Sequence, residues 1–215
     1  SFDGEDDYVD IPPLSLAYGN EIAISLWIYT DNITTNSNYT IIKQEVPGTE
    51  TDWILQFKGA GQILEFGVLT GNGYNNIELD INSIDYLGNW IFLVATYNGS
   101  TLRMYKNGFE IGSNTHSGYI SNSGATTTHT IGCNGNNVDC FKGRIDNVVI
   151  WDNALSEADV LEAYNNGVDD SFIGTSTAGI GATLQNVKSN YRFNSSTESI
   201  LYDHSGNESH GTIYG

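Results

Sequence analysis

Basic residues are scarce: Lys plus Arg is 8 against 26 Asp plus Glu, a net charge of −18 over 215 residues. A chain this acidic is repelled by nucleic acid and by anionic lipid, so neither is expected as a partner. No apolar run approaches the ~20 residues that a membrane-spanning helix needs, so no membrane insertion is expected. There is no signal-peptide pattern and no initiator Met, which reads as a mature protein or an excised domain. Cysteine is limited to Cys133 and Cys140, too few for a disulfide scaffold. The chain is long enough to build a core without one. The pair sits in a polar, Gly-rich loop with no His close by in sequence, so it reads as a structural disulfide of an oxidising compartment rather than as free thiols or half of a metal site. The four His (His116, His129, His204, His210) show no ligand spacing and no nucleophile partner, which argues against a hydrolase triad.

What is present is β-sheet patterning. Trp90, Phe92 and Val94 alternate with Ile91, Leu93 and Ala95, so both faces of this run are apolar and it belongs in the middle of a layered sheet. Asn98-Gly99 and Asn107-Gly108 flank Thr101–Lys106 as two tight hairpin turns, a strong short-range signal. The remaining chain is organised around this meander. Strands are expected at Ile22–Tyr29, Thr40–Gln44, Trp53–Lys58, Ile63–Leu69, Asn76–Ile81, Thr128–Gly132, Gly143–Trp151, Asn190–Phe193 and Ile200–Tyr202. Many short strands at regular spacing indicate one all-β sandwich or barrel. One helix interrupts them. Ser156 is a good N-cap with Asp159 three residues on, Val160, Leu161 and Tyr164 make a short apolar stripe, and Gly167 closes it. Val168–Lys188 is low in pattern and reads as a linker or long surface loop. The resulting division is a body over 1–167, a linker over 168–189 and C-terminal strands over 190–215.

FDGEDDYVDIP (Phe2–Pro12), NWIFLVATYNG (Asn89–Gly99), YKNGFEIG (Tyr105–Gly112), FKGRIDNVVIWDNALSEADV (Phe141–Val160) and DHSGNESHGTIYG (Asp203–Gly215) together resemble the laminin-G-like domains of the concanavalin A-like lectin/glucanase superfamily. The resemblance covers nearly everything except Val168–Lys188. It implies a jelly-roll sandwich of two antiparallel sheets with one short helix, often a calcium ion, and a binding role rather than a catalytic one. The order departs from the family: the Asp203–Gly215 segment normally precedes the segment that opens this chain at Phe2. The sequence therefore looks circularly permuted, or cut from a repeat array at an unusual phase. The last strands are expected to close on their own body. The alternative is donation to a neighbouring copy, which would build filaments.

By resemblance, Asp146, Asp203 and Asn207 would share a structural calcium near the Asp3 turn, with Asp3 as a fourth ligand; Asp6, Asp7 and Asp10 crowd the same stretch. Calcium wants six to eight oxygens, which Asp and Asn side chains on tight turns supply. The competing reading is that each Asp merely makes a turn. Glu78-Leu79-Asp80-Ile81-Asn82 resembles the E-x-D-x-E strand of the related glucanases, but Asn82 replaces the second acid that retaining hydrolysis requires. No catalytic residue is therefore expected. Trp53 follows a polar loop and is either a sugar-stacking platform or the first core residue of its strand. Tyr74, Asn75 and Asn76 sit beside Gly71–Gly73, as Tyr119 and Asn122 sit in a second loop, and aromatic and amide groups on loops suit polar ligands. Trp53, Tyr74 and Asn75 are the candidate ligand-binding set. The expectation is an extracellular or cell-surface recognition or adhesion module, calcium-dependent, binding a glycan or a cell-surface protein. The alternatives are a self-associating subunit of a surface fibre or layer and, less favoured, a glycoside hydrolase.

Overall fold

The Trp90 run is strand β8 (Trp90–Asn98), and its two faces do serve two apolar clusters. Ile91, Leu93, Ala95 and Tyr97 join the main core, while Phe92 and Val94 face a second cluster under the helix. Both Asn-Gly turns form. Asn107 and Gly108 take positive φ (51° and 86°), and the Asn107 side-chain oxygen accepts from the Phe92 N–H at 2.9 Å, which ties the turn back to β8.

The computed structural model describes residues 1–14, 20–33, 38–46, 50–121, 128–134, 138–166, 186–196 and 199–215. In chain order the strands are β1 (Phe2–Asp3), β2 (Tyr8–Ile11), β3 (Glu21–Tyr29), β4 (Asn38–Val46), β5 (Glu50–Lys58), β6 (Ile63–Thr70), β7 (Gly73–Asp80), β8, β9 (Thr101–Lys106), β10 (Phe109–Thr115), β11 (Thr128–Ile131), β12 (Lys142–Trp151), β13 (Val187–Ser196), β14 (Ile200–Asp203) and β15 (Gly211–Tyr214). Helix α1 (Glu157–Asn166) lies between β12 and β13. Its start is the expected capping box: the Asp159 carboxylate accepts from the Ser156 N–H at 2.9 Å and from its hydroxyl at 2.7 Å. Its buried stripe is Val160 and Ala163, with Tyr164 packed beside them. Leu161, expected in that stripe, is exposed.

The strands pair antiparallel along one path, β10-β9-β8-β3-β12-β13-β14-β15-β2-β11-β4-β5-β6-β7, with β1 on β12. The two ends of the path meet: the Leu79 and Ile77 side chains of β7 lie over Gly112 of β10, where a Cβ would sit 2.5 Å from Leu79. The sheet thus folds over on itself into the two layers of a jelly-roll sandwich, with the main core between them. β13 pairs with β12 and β15 with β2, so the C-terminal strands bridge the layers within the chain itself. β13 begins at Val187, so the last three residues assigned to the 168–189 linker are strand. The rest of that linker up to residue 185, together with Gly167 and Asn122, lies outside the described residues.

Candidate functional site

The opening segment is pinned at both ends and loops between them. Phe2 is buried, with edge contacts to Phe141 (6.5 Å) and Phe193 (6.1 Å). Gly132, at φ 98°, makes room for it, since a Cβ there would lie 2.4 Å from the Phe2 ring. The predicted disulfide, Cys133–Cys140, forms beside this contact, with Cys133 Sγ 3.2 Å from the Asp7 carbonyl oxygen. Between Phe2 and β2 the acidic loop is folded by its own carboxylates. Asp3 accepts from the Glu5 N–H at 2.8 Å, and Asp7 accepts from the Asp3 N–H at 2.8 Å. One ligand atom each of Asp3, Asp6 and Asp7 lies within 4.8 Å of the others. Three carboxylates this close repel one another unless a cation intervenes.

A small cleft of about 150 Å³ adjoins this cluster, lined by Phe2, Asp7, Tyr8, Phe193, Leu201 and Tyr214 among others. The register of β15 on β2 sets Tyr214 opposite Tyr8, and their rings stack at 4.7 Å and 10°. Tyr214 is 44% exposed, so one flat aromatic face is open beside the carboxylates. Phe193 takes φ 52°, unusual for a bulky residue, at the break in pairing between β13 and β14.

The four expected metal ligands do not form one cluster. Asp3 groups with Asp6 and Asp7, and neither Asp146 nor Asp203 belongs to that group. The Asp203 carboxylate is already filled by donors: the N–H groups of Asn190 (2.8 Å), Ser205 (2.9 Å) and Ser209 (3.0 Å), and the Ser205 hydroxyl (2.7 Å). It organises the turn between β14 and β15, as the plain turn reading holds. Asn207 donates its amide to the Val187 carbonyl at 2.8 Å, clipping that turn to β13. Asp146 sits where β12 bulges against β3, and accepts from the Asn147 N–H at 2.7 Å. Burial raises its carboxyl above the ordinary range.

The ligand-binding set also separates. Trp53 is 0% exposed, so it is a core residue and not a stacking platform. Its ring N–H donates to Gln44 at 2.6 Å, Gln44 donates to Asp52 at 2.8 Å, and the ring stacks on His129. Tyr74 and Asn75 are on β7 rather than a loop, and alternation sends them to opposite faces. Tyr74 faces outward, 43% exposed, with its ring across Gly67 and its hydroxyl donating to Glu65 at 3.1 Å. Asn76 shares that face and donates to Glu65 at 2.6 Å, as does Gln56 at 2.6 Å. This network is occupied with its own hydrogen bonds. Glu78 and Asp80 also lie on β7, but Asn82 is past its end and accepts from the Ile84 N–H at 3.4 Å, starting a short 3-10 helix. Glu78 therefore has no carboxylate four residues along the strand.

Sequence reasoning found Asp3 crowded by Asp6 and Asp7 and missed the tyrosine pair beside them. Tyr8 and Tyr214 lie at opposite ends of the chain, and no periodicity relates them.

A laminin G-type family model of the concanavalin A-like lectin/glucanases superfamily matches residues 3–161. No curated protein sequence matches the chain. In structure it is similar to a presumed carbohydrate-binding protein from Bacteroides ovatus, with TM-score 0.67 and 17% identity over 98% of this chain and 59% of that one. The chain thus spans about three fifths of that protein. It is also similar to the heptameric SAP-like pentraxin of Limulus polyphemus (TM-score 0.58, 18% identity, 78% of this chain and 82% of that one). A third similar structure is the receptor-binding domain of a botulinum neurotoxin of mosaic serotype C/D (TM-score 0.56, 20% identity, 71% of this chain and 38% of that one). Identities this low establish the fold alone. The two-layered sandwich and the family match agree, and the chain belongs to the concanavalin A-like lectin/glucanase superfamily as a laminin-G-like domain.

Proposed function

We propose that this protein is a non-catalytic, extracellular or cell-surface glycan-binding module. Its site is the acidic loop with the adjoining aromatic cleft. The observation that carries this reading is their junction at Asp7, which belongs both to the carboxylate cluster and to the lining of the cleft. The donor set is all carboxylate oxygen with no thiol or imidazole, which suits a hard cation such as calcium. Asp3, Asp6 and Asp7 would hold it. A bound calcium would neutralise the loop and accept further oxygen ligands, including sugar hydroxyls. Tyr214, backed by Tyr8, offers the flat apolar face that a sugar ring packs against. The disulfide and the likeness to a presumed carbohydrate-binding protein support the setting and the ligand class.

The test is a glycan array read with calcium and with chelator, alongside calcium calorimetry. Calcium is expected to bind and to raise the melting temperature. Asp6→Asn should abolish both effects, while Tyr214→Ala should keep calcium and lose glycan. Glycan binding indifferent to both substitutions would sink the proposal. Light scattering is expected to give a 23.5 kDa monomer; long polymers would move the function to assembly. Turnover of a β-glucan would move it to catalysis.

A further inference from the structure

Ala23, Phe92, Val94 and Tyr105 form part of the outer cluster under α1, on the face of the sheet away from the main core. Beside them the chain entering the helix, Ala154–Glu157, stands over β8, β9 and the β10 edge and leaves a groove of about 550 Å³. That is within the range of small-ligand pockets. Its lining carries three carboxylates, Glu21, Glu110 and Glu157, against one guanidinium, Arg103. Two further groups line it that the fold leaves unused. Thr96 is 2% and Tyr105 3% exposed, and neither hydroxyl has a hydrogen-bond partner among the described residues. Neither hydroxyl is sealed off: each opens onto the groove, where water or a ligand group can bond to it.

We propose that this groove is a second binding site, taking a ligand that carries an ammonium or guanidinium group. The charge balance sets the sign of the ligand. Arg103 is engaged by Glu110 at 3.4 Å, and Glu21 gives one oxygen to the Ala154 N–H at 3.0 Å. Among the described residues Glu157 makes no ion pair, and it is exposed in the first turn of α1. The positive end of the helix does not favour an anion here, because the Asp159 carboxylate already occupies the Ser156 cap. Burial first, and then the Glu110 carboxylate, raise the Tyr105 phenol, so it stays neutral and can accept from a cationic donor. A ligand ammonium reaching the floor would donate to Thr96 and Tyr105 while its charge faced the carboxylates. That pairing of hydroxyl floor and acidic walls discriminates against a neutral sugar.

The groove shares no residue with the acidic loop or its aromatic cleft, so the two readings stand or fall separately. The experiment is amide chemical-shift titration of labelled protein with three probes: glucosamine, Nα-acetyl-lysine methylamide and N-acetylglucosamine. Saturable shifts at Thr96, Arg103 and Tyr105 are expected with a cationic probe and not with N-acetylglucosamine. Saturation by glucosamine alone would assign the ammonium group to an amino sugar, and saturation by the lysine derivative alone to a basic peptide. Glu157→Gln should weaken the cationic probe about tenfold, the scale of one lost charge-assisted hydrogen bond. Tyr105→Phe, which keeps the buried ring, should weaken it too. Asp6→Asn, which disables the calcium loop, should leave the titration unchanged. Equal shifts with N-acetylglucosamine, no groove shifts with tens of millimolar cationic probe, or an unchanged response in Glu157→Gln would each overturn the proposal.

Discussion

Lys58 stands between two carboxylates that the sheet register sets directly opposite each other, Glu65 on β6 and Glu78 on β7. Its ammonium lies 3.5 Å from Glu65 and 2.5 Å from Glu78, and Glu65 is buried. Like charges facing across strands destabilise a sheet, and here one cation offsets them. Lys58→Met should therefore cost about 1–2 kcal/mol, less than a fully buried pair because the Lys58 side chain is partly exposed. Urea denaturation would measure this, and adding Glu78→Gln should recover part of it.

His129 makes a second prediction at the same scale. Its ring is enclosed against Trp53, with Nδ1 3.1 Å from the Pro12 carbonyl oxygen and 3.2 Å from the Leu14 nitrogen. Burial lowers its pKa below the ordinary 6.5, and the Pro12 carbonyl only partly opposes that. Folding therefore favours the neutral ring. That contribution is complete above pH 6.5 and is lost as pH falls from there toward the folded-state value. Stability measured between pH 8 and 5 should fall more steeply in the parent than in His129→Gln, and parallel slopes would contradict the assignment.

At the scale of elements, the Asn107-Gly108 turn supports more than a hairpin. Helix α1 rests on it: a Cβ at Gly108 would lie 3.0 Å from Leu161 and 3.1 Å from Tyr164, at φ 86°. Gly108→Ala meets both the left-handed backbone cost and the helix, about 1–2 kcal/mol together, or roughly 2–6 °C in melting temperature for a domain of this size. The same substitution at Gly71, where nothing lies within 4 Å and φ is not positive, should cost less. The Cys133–Cys140 loop is the second such element. Replacing both with Ala should cost about 2–3 kcal/mol for so short a loop. It should also weaken the calcium binding proposed for Asp3, Asp6 and Asp7, because the disulfide abuts the Asp7 backbone. Calorimetry on the double variant separates the two effects.

The whole molecule depends on its seam. β13, β14 and β15 join β12 to β2, so a chain ending at Asn186 would expose an unpaired edge on each layer. That truncation should self-associate in light scattering, and a peptide of residues 187–215 supplied in trans should restore a monomeric complex. Failure of the peptide to bind would show that closure requires the covalent connection.

Much of this architecture was legible in the chain. The meander from Trp90 to Ile111, the Ser156–Asp159 cap and the disulfide were all read from residues within a few positions of one another. Turn φ preferences, strand alternation and capping bonds act over that distance. The site was legible only where it is local: Asp3 lies beside Asp6 and Asp7 in sequence and in space. Trp53 stayed open between platform and core because a strand start looks the same whether its face meets solvent or core, and the neighbours that bury it decide for the core. Asn75 was read as loop because the glycines beside it look like a turn, whereas pairing with β6 carries β7 back to Gly73.

The choice of a sandwich over a barrel came with the family resemblance, while the sequence by itself determined that this chain is acidic and all-β, with one capped helix. Each of those properties follows from composition or from short periodicities. Only the tertiary structure decided which carboxylates lie beside an aromatic face and which are taken up by the fold. Asp203 is consumed by donors from Asn190 and Ser209, while Asp7 meets the Tyr8–Tyr214 stack. A groove built from Glu21, Thr96, Tyr105 and Glu157 exists only once β3, β8, β9 and the α1 entry are laid side by side. Long-range register creates those neighbours, and register is a property of the whole packed sheet.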